Sequence, residues 1–416
     1  MTSQIQHQTI PNINSISFQS KRKKKFKLGV VANEFFDLST SRMGGFGWAT
    51  RQVSTCFNTN PELGVEVVFL AGELYETPGQ PERLIHGSRL ILRQRNRLAY
   101  CQRLWAEQFD CLLAIDYRPS YRSIFWALPL TPILVWVRDP RPPEDVDKIN
   151  TLKIPGAEDI RPKGIDPIDC TSLAQVVQGS KWFNRPVRFA TTASFLDAKV
   201  PGTYGVKPSK VHFLPNIIDL DPGQIEKSDR PTVVFLARLD PYKRPWIFTE
   251  LAHHFPEVEF IFLGKAHFKG RGAWEAENLP SNIKFMGHVD GDEKNKLLSS
   301  AWALINTSIH EGLAVSFLEA LICETPILSC QDPETVVSRF GIYTGRWDGS
   351  GMEGLSAFID GLNRLLKDTE LRTQLGKAGR EWVEQTHNQA RFLAAFQNLC
   401  SQVGALSATN LSQRSS

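Results

Sequence analysis

HEGLAVSFLEALICETPILS, residues 310–329, reads as a turn, a helix and a strand in immediate succession. Gly312 marks the turn, the residues from about Leu313 to Cys323 carry apolar positions at helical spacing, and Pro326 opens a short strand-length run. With the strand ALINT (303–307) just upstream, the stretch is a β-α-β unit, the building block of a parallel sheet. Two acids stand out in it. Glu311 sits in the glycine turn, and Glu319 follows eight residues later inside the apolar run. Eight positions at 100° each bring Glu319 about 80° past two full turns, so both carboxylates are expected to reach one cleft from different depths. Acid–base partners, metal ligands and acceptors for a polyhydroxylated ligand are the chemistries open to such a pair. No third acid or histidine stands at metal spacing, so hydroxyl-rich ligands explain the pair better: a ribose diol on one carboxylate, a hexose on the other. The structural alternative for Glu319 is a helix residue bonded to nearby backbone.

The same alternation of short apolar runs and helical patterns extends in both directions. Strands are expected at 28–32, 65–70, 111–115, 133–137, 189–193 and 211–214, and again at 232–237, 258–263, 283–287 and 326–329. The polar stretch DLDPGQIEKSDRP (219–231) separates the two series. The sequence therefore predicts an α/β protein of two doubly wound, Rossmann-like domains facing a cleft, a division that 416 residues also favour. Residues 27–220 form the first domain and 221–385 the second, with a helix over 386–405 that packs back on the first. Residues 1–26, a basic tail, and 406–416 are expected to be disordered.

Composition narrows the class. The 48 basic and 44 acidic residues nearly balance, which gives no support for a nucleic-acid partner. No apolar run is long enough to span a bilayer, and the N-terminus lacks a secretory signal pattern. Seven cysteines without CxxC pairs suggest reduced thiols and a cytoplasmic location. The one strong local bias is the basic run Lys21–Lys27, read either as a solvated tail or as a weak peripheral attraction to the inner face of an anionic membrane.

In open α/β sheets ligands bind outside the carboxyl ends of the strands. There TVVFLARLDPYKRPW places Arg238 directly after a strand and Lys243 five residues on, two fixed cations suited to a diphosphate. The alternative is an ordinary surface pair. The helix after Glu311 adds backbone N–H groups that favour an anion. In the first half, STSRMGGFGWAT puts Gly44, Gly45 and Gly47 ahead of a helix beginning near Trp48, which permits close backbone approach or simply a tight turn.

Taken in order, FLPNIID (213–219), ARLDPYK (237–243), FLGKA (262–266), NIKFMGHV (282–289) and EGLAVSFLE (311–319) resemble glycosyltransferase family 4. The resemblance covers residues 27 to 400, firmly in the second domain and loosely in the first. It implies the GT-B fold and retaining, nucleotide-sugar-dependent transfer to a hydroxyl acceptor, in polysaccharide or glycan biosynthesis. It further implies that Arg238 and Lys243 bind the donor diphosphate, Glu311 the sugar hydroxyls and Glu319 the ribose. The backbone of Gly312, Leu313 and Ala314 would serve sugar and phosphates. Gly264 and His288 would line the nucleotide pocket, and Gly44 and Gly45 would approach the donor from the first domain. One departure concerns the acceptor side: many family members carry His-Asp after the fourth strand, where this chain has Arg138-Asp139. Arginine cannot accept a proton, but it can bind an anionic acceptor or a hydroxyl, or simply pair with Asp139 or a neighbour. Asp219-Leu220-Asp221 and Asp290-Gly291-Asp292 are acid-x-acid triplets, a pattern other transferases use for metal. With two cations at the diphosphate, neither a metal nor any other cofactor is expected. A nucleotide-sugar epimerase of the same fold and a non-catalytic sugar-nucleotide-binding protein are the rival readings.

Overall fold

The parallel strands expected from the apolar runs form two sheets. The computed structural model describes residues 10–21, 25–36, 44–77, 80–276 and 279–406. Arg22–Lys24 of the basic run, residues 37–43 before the glycine pair and the tail 407–416 lie outside the described residues.

The first sheet holds β1 (Phe26–Ala32), β2 (Val65–Tyr75), β3 (Glu82–Ile85), β4 (Ser88–Arg93), β5 (Cys111–Ile115), β6 (Ile133–Val137), β7 (Val187–Thr191) and β8 (Val211–Phe213). Their order is β3-β4-β2-β1-β5-β6-β7-β8, parallel throughout except for the antiparallel hairpin β3–β4 at one edge. That hairpin went unread because its strands are short, with exposed charged residues at an edge, and carry little apolar signal. Strands β5 and β6 are buried along their whole length, as a continuous apolar run demands when both faces are covered.

The second sheet holds β9 (Thr232–Leu236), β10 (Glu259–Leu263), β11 (Ile283–Gly287), β12 (Ala303–Asn306), β13 (Ile327–Ser329) and β14 (Gly341–Tyr343), in the order β11-β10-β9-β12-β13-β14, all parallel. The three-residue β14 was also missed. The quoted stretch behaves as read, with a helix over Val315–Ile322 leading into β13.

The chain divides into two compact units. One takes the residues up to Pro142, then Ile168–Ile217 and those from Asn388 on; the other takes Pro143–Pro167 and Ile218–His387. A single boundary at residue 220 therefore misplaces 143–167. Ile149, Leu152, Ile154 and Ile165 are buried in the core of the second unit with Leu239, Trp246 and Phe248. The excursion holds one short helix, Pro143–Asn150, and no strand, so no change of periodicity announces it. The helix Gln389–Gln402 belongs to the first unit, where Phe392 meets Trp136 and Phe396 meets Phe57.

The N-terminal expectation needs correction. Residues 10–21 are placed, and Phe18 is buried against Phe26, Phe57 and Phe396 with ring centroids 5.7–5.8 Å apart. Gln397 donates to the Ser17 carbonyl at 2.7 Å. A burial signal of two residues, Ile16 and Phe18, is too short for a pattern to reveal.

Candidate functional site

In the second sheet the chain runs from β9 outward to β10 and β11, then returns to β12 on the other side of β9. The reversal makes the carboxyl ends of β9 and β12 the natural ligand crevice. Arg238 follows β9, and Thr307 to Gly312 follow β12.

One residue bolts these two segments together. Arg244, at φ +47°, is fully buried. Its guanidinium donates to the carbonyls of Thr307 (2.7 Å), Ser308 (3.0 Å) and Trp347 (2.9 Å) and to Cys330 Sγ (3.1 Å). Thr307 Oγ1 in turn donates to the carbonyls of Lys243 and Arg244 at 2.7 and 2.9 Å. Burial pulls the Arg244 guanidinium below its ordinary pKa, and the ring of acceptors keeps its donors satisfied.

On that frame Lys243 Nζ meets Glu311 Oε1 at 2.6 Å. The same oxygen accepts from Ser308 Oγ at 2.6 Å and Asn306 Nδ2 at 3.0 Å. Burial pushes the Glu311 carboxyl up, but the Lys243 charge and these three hydrogen bonds outweigh it and hold the pKa below the usual carboxylate value. All three donors use Oε1, so Oε2 is left as an acceptor for a ligand hydroxyl. Two of the three ammonium hydrogens of Lys243 likewise remain for anionic oxygens.

Glu319 is held in the same manner. Lys294, on the helix Gly291–Ser300, donates to its Oε1 at 2.6 Å and lies 3.4 Å from Asp290 Oδ1. Oε2 again has no protein donor among the described residues, so Glu319 is not a helix acid satisfied by neighbouring backbone. Between the two acids the helix starts at Val315, two residues later than read; Ala314 precedes it in extended conformation and no side chain caps it. Gly312 and Leu313 are buried in the turn.

Arg238 is partly exposed, its Nε 3.3 Å from the buried carboxylate of Asp240, whose Oδ1 accepts the His267 N–H at 3.2 Å. Gly264, after β10, passes so close to β9 that a Cβ there would lie 1.9 Å from the Ala237 carbonyl oxygen; only glycine fits. His288 is exposed just beyond β11. The first acid-x-acid triplet shapes a turn: Asp219 Oδ1 accepts the Asp221 N–H, and Asp221 Oδ1 the Gly223 N–H, at 3.1 and 3.0 Å.

The first-unit candidates lie at the carboxyl edge of their own sheet. The helix Gly45–Asn58 starts directly after Gly44, and Glu34 Oε2 accepts the Gly47 N–H at 3.2 Å, so the chain's own carboxylate serves that helix terminus. Arg138 is buried over the Trp136 ring at 4.5 Å and donates to Asn216 Oδ1 at 2.6 Å. Burial lowers its pKa to about 10, with Asp116 opposing the shift. Of the alternative partners, Arg138 takes Asn216 rather than Asp139, which accepts from Arg141 at 2.6 and 3.0 Å. Asp116, at φ +51°, accepts the N–H groups of Tyr117 and Asp139 and the Tyr204 hydroxyl. Sequence reading passed over Asp116, Asn216, Arg244, Lys294, Asn306 and Ser308. Of these, Asn306 and Ser308 carried a signal, being polar residues at the end of an apolar strand.

Residues 218–382 match the family model for Glycosyl transferases group 1. This stretch is similar to glycosyltransferase domains. It contains Arg238, Lys243, Gly264, His288, Glu311 and Glu319, and it ends beyond β14. Over 249 residues the chain is 25% identical to the alpha-maltose-1-phosphate synthase of Mycolicibacterium smegmatis, covering 52% of this chain and 64% of that protein. Over 130 residues it is 25% identical to a phosphatidylinositol N-acetylglucosaminyltransferase component of Arabidopsis thaliana, covering 29% of each. The chain thus spans less than two thirds of these relatives' length. The solved sucrose-phosphate synthase of Thermosynechococcus elongatus superposes with a TM-score of 0.67 at 15% identity, over 92% of this chain and all of that one. Anabaena Alr3699/HepE, solved with UDP-glucose, gives 0.63 at 14% identity over 90% of this chain and 99% of that one. This likeness is one of fold: two parallel-sheet domains of the GT-B glycosyltransferase type.

Proposed function

We propose that the protein is a retaining transferase of glycosyltransferase family 4 that moves a hexose-type unit from a nucleoside diphosphate sugar to a hydroxyl acceptor in glycan or polysaccharide synthesis. The observation that carries this reading is the Lys243–Glu311 pair, held on a fully bonded frame with one carboxylate oxygen and two ammonium hydrogens left over. A cation and an acceptor in one spot suit a ligand that is anionic at one end and hydroxylated at the other, as a sugar diphosphate is.

In the mechanism, Lys243 and Arg238 bind the diphosphate and Glu311 Oε2 accepts a sugar hydroxyl. Glu319, steadied by Lys294, receives the ribose. As the anomeric C–O bond to the β-phosphate breaks, negative charge grows on the leaving oxygen. Fixed cations and the uncapped helix at Val315 bind that charge more strongly than the ground state. The acceptor oxygen bonds to the anomeric carbon from the face being vacated, and its proton passes to the departing phosphate. Configuration is retained without a covalent nucleophile. Two cations at the diphosphate are the reason for proposing that no metal is needed. Seven cysteines, none in a disulfide, support a cytoplasmic location.

UDP-sugars are the first donors to try, because the Alr3699/HepE and pneumococcal GtfA structures hold UDP or its glucose conjugate. A thermal-shift screen of nucleotide sugars should give one clear hit, since ligand at 100-fold its Kd adds about 2.7 kcal/mol. Nucleotide diphosphate release that depends on an acceptor then supports transfer. A new sugar isomer formed from donor alone supports the epimerase, and binding without release across a broad acceptor panel supports a non-catalytic role.

A further inference from the structure

The first unit carries an apolar face that its own fold leaves uncovered. Three connections return to the sheet at its N-terminal edge, opposite the carboxyl ends of the strands: from the helix Arg97–Glu107 to β5, from Arg122–Ala127 to β6, and from Leu173–Trp182 to β7. These strands are neighbours, so the three connections lie side by side. They present Trp105, Trp126, Leu130, Trp182 and Phe183 to solvent; Trp182 is 80% exposed, Leu130 70% and Trp105 58%.

The residues form one patch. Trp105 Nε1 donates to the Ala127 carbonyl at 2.5 Å, next to Trp126. The Trp126 ring lies over Gly179, where a Cβ would meet it at 2.1 Å, one helical turn before Trp182. The buried Arg185 donates to the carbonyls of Phe125 and Leu128 at 2.5 and 3.0 Å, which fixes the turn after Trp182 to the segment leading to Leu130. An aromatic surface this rigid is not a loop waiting to fold inward.

Its charge identifies the partner. The segments 128–132, 181–188 and 207–211 contain no acid and carry Lys181, Arg188, Lys207 and Lys210 besides Arg185. Lys181, Lys207 and Lys210 are exposed. The basic run ending at Lys27 enters β1 at the same edge, beside β5. The acids of this edge near β5 are already engaged, Glu107 by Lys27 and Arg89, and Asp110 by Ser20 and the Lys27 N–H. Tryptophans ringed by uncompensated cations match the interface of an anionic bilayer, where indole settles at headgroup depth and lysines meet lipid phosphates.

We propose that this edge of the first unit docks on an anionic lipid surface, with Trp182, Phe183 and Leu130 inserted and Lys181, Lys207 and Lys210 on the headgroups. The reading is independent of the transfer chemistry proposed above. It extends the weak attraction expected of the basic run to a folded surface with an apolar component.

The test is sedimentation of the full chain with vesicles of phosphatidylcholine alone and of phosphatidylcholine with phosphatidylglycerol. Wild type should pellet with the anionic vesicles and be largely released by high salt. Lys207→Glu with Lys210→Glu should lower partitioning by more than tenfold, each surface cation contributing about fivefold. Trp182→Ser with Phe183→Ser should lower it by at least about tenfold at unchanged melting temperature, since both side chains are solvent-facing. Wild type that stays in the supernatant with both vesicle types overturns the proposal. So does binding that survives both double substitutions, which assigns it to the basic run alone. Light scattering that shows a dimer lost in Trp182→Ser, with no vesicle binding, would make the face a contact between copies instead.

Discussion

In the proposed mechanism Lys243 has two duties, tethering Glu311 and leaving donors for a diphosphate. Lys243→Ala should therefore lower turnover by about 10²-fold or more, the scale of a single preorganised electrostatic donor, and Arg238→Ala should do the same. The measurement is acceptor-dependent nucleotide release; a near-wild-type rate in either variant removes the diphosphate assignment. On the same proposal Glu319 and Lys294 belong to binding rather than to chemistry. Glu319→Ala should weaken donor affinity by about tenfold or more in calorimetry, the value of one or two hydrogen bonds to a charged group, with kcat less affected. Lys294→Met should weaken it in the same direction by freeing the carboxylate to rotate. Glu311 also sets a pH limit. Its carboxyl is depressed in the fold, so its pair with Lys243 is fully formed above the ordinary carboxylate pKa and is lost as pH falls through the lower folded value. Donor affinity should thus hold from neutral pH down to about 4.5 and fall only in stronger acid, a limb that Glu311→Gln should abolish. The placement of Lys243 and Glu311 at the carboxyl edge of the sheet was legible in the sequence because both follow apolar, strand-length runs. Lys294 was not, since 25 residues and a whole β-α unit separate it from Glu319 and no local pattern links them.

At the scale of elements, the crevice depends on a turn and a loop of the second sheet that the strand ladder does not hold by itself. Arg244 fastens the turn after β9 to the loop after β12 through the buried carbonyls of Thr307 and Ser308, and to the segment after β14 through that of Trp347. Arg244→Met retains much of the volume but leaves those carbonyls unpaired. At about 1–3 kcal/mol each the loss should exceed about 3 kcal/mol in denaturant unfolding, and donor binding should fall with it. A variant as stable as wild type would mean the carbonyls find other donors. Sequence alone marked the neighbouring Arg238 and Lys243 as functional and passed over Arg244, because three cations in one turn look equivalent until burial separates them. Central strands were readable from unbroken apolar runs. The hairpin β3–β4 and the three-residue β14 were not, for edge strands keep polar residues and short strands lack a period.

For the whole molecule, acid stability should be set in the first unit as well as at the crevice. Glu107 is engaged by Lys27 at 3.0 Å and by Arg89 at 2.7 Å. Burial by itself would raise its pKa, but the Arg89 and Lys27 hydrogen bonds prevail and lower it to about 2. The stabilisation is complete above the unfolded value of 4.5 and is withdrawn as pH drops from there towards about 2. Melting temperature should decline across that interval, and less steeply in Glu107→Gln. Two doubly wound domains were visible from the sequence as two series of strands, but their membership was not. The chain changes unit after residues 142, 167, 217 and 387, and the short excursion 143–167 carries no periodic signature of its own. The itinerary bears on how such a protein can be re-engineered or can diverge. A chimera that imports 218–387 from a relative keeps the host's Ile149, Leu152, Ile154 and Ile165 as the plug of a foreign hydrophobic interior. Exchange of donor preference by recombination is therefore a two-piece graft, and crossovers that ignore the smaller piece should yield insoluble offspring.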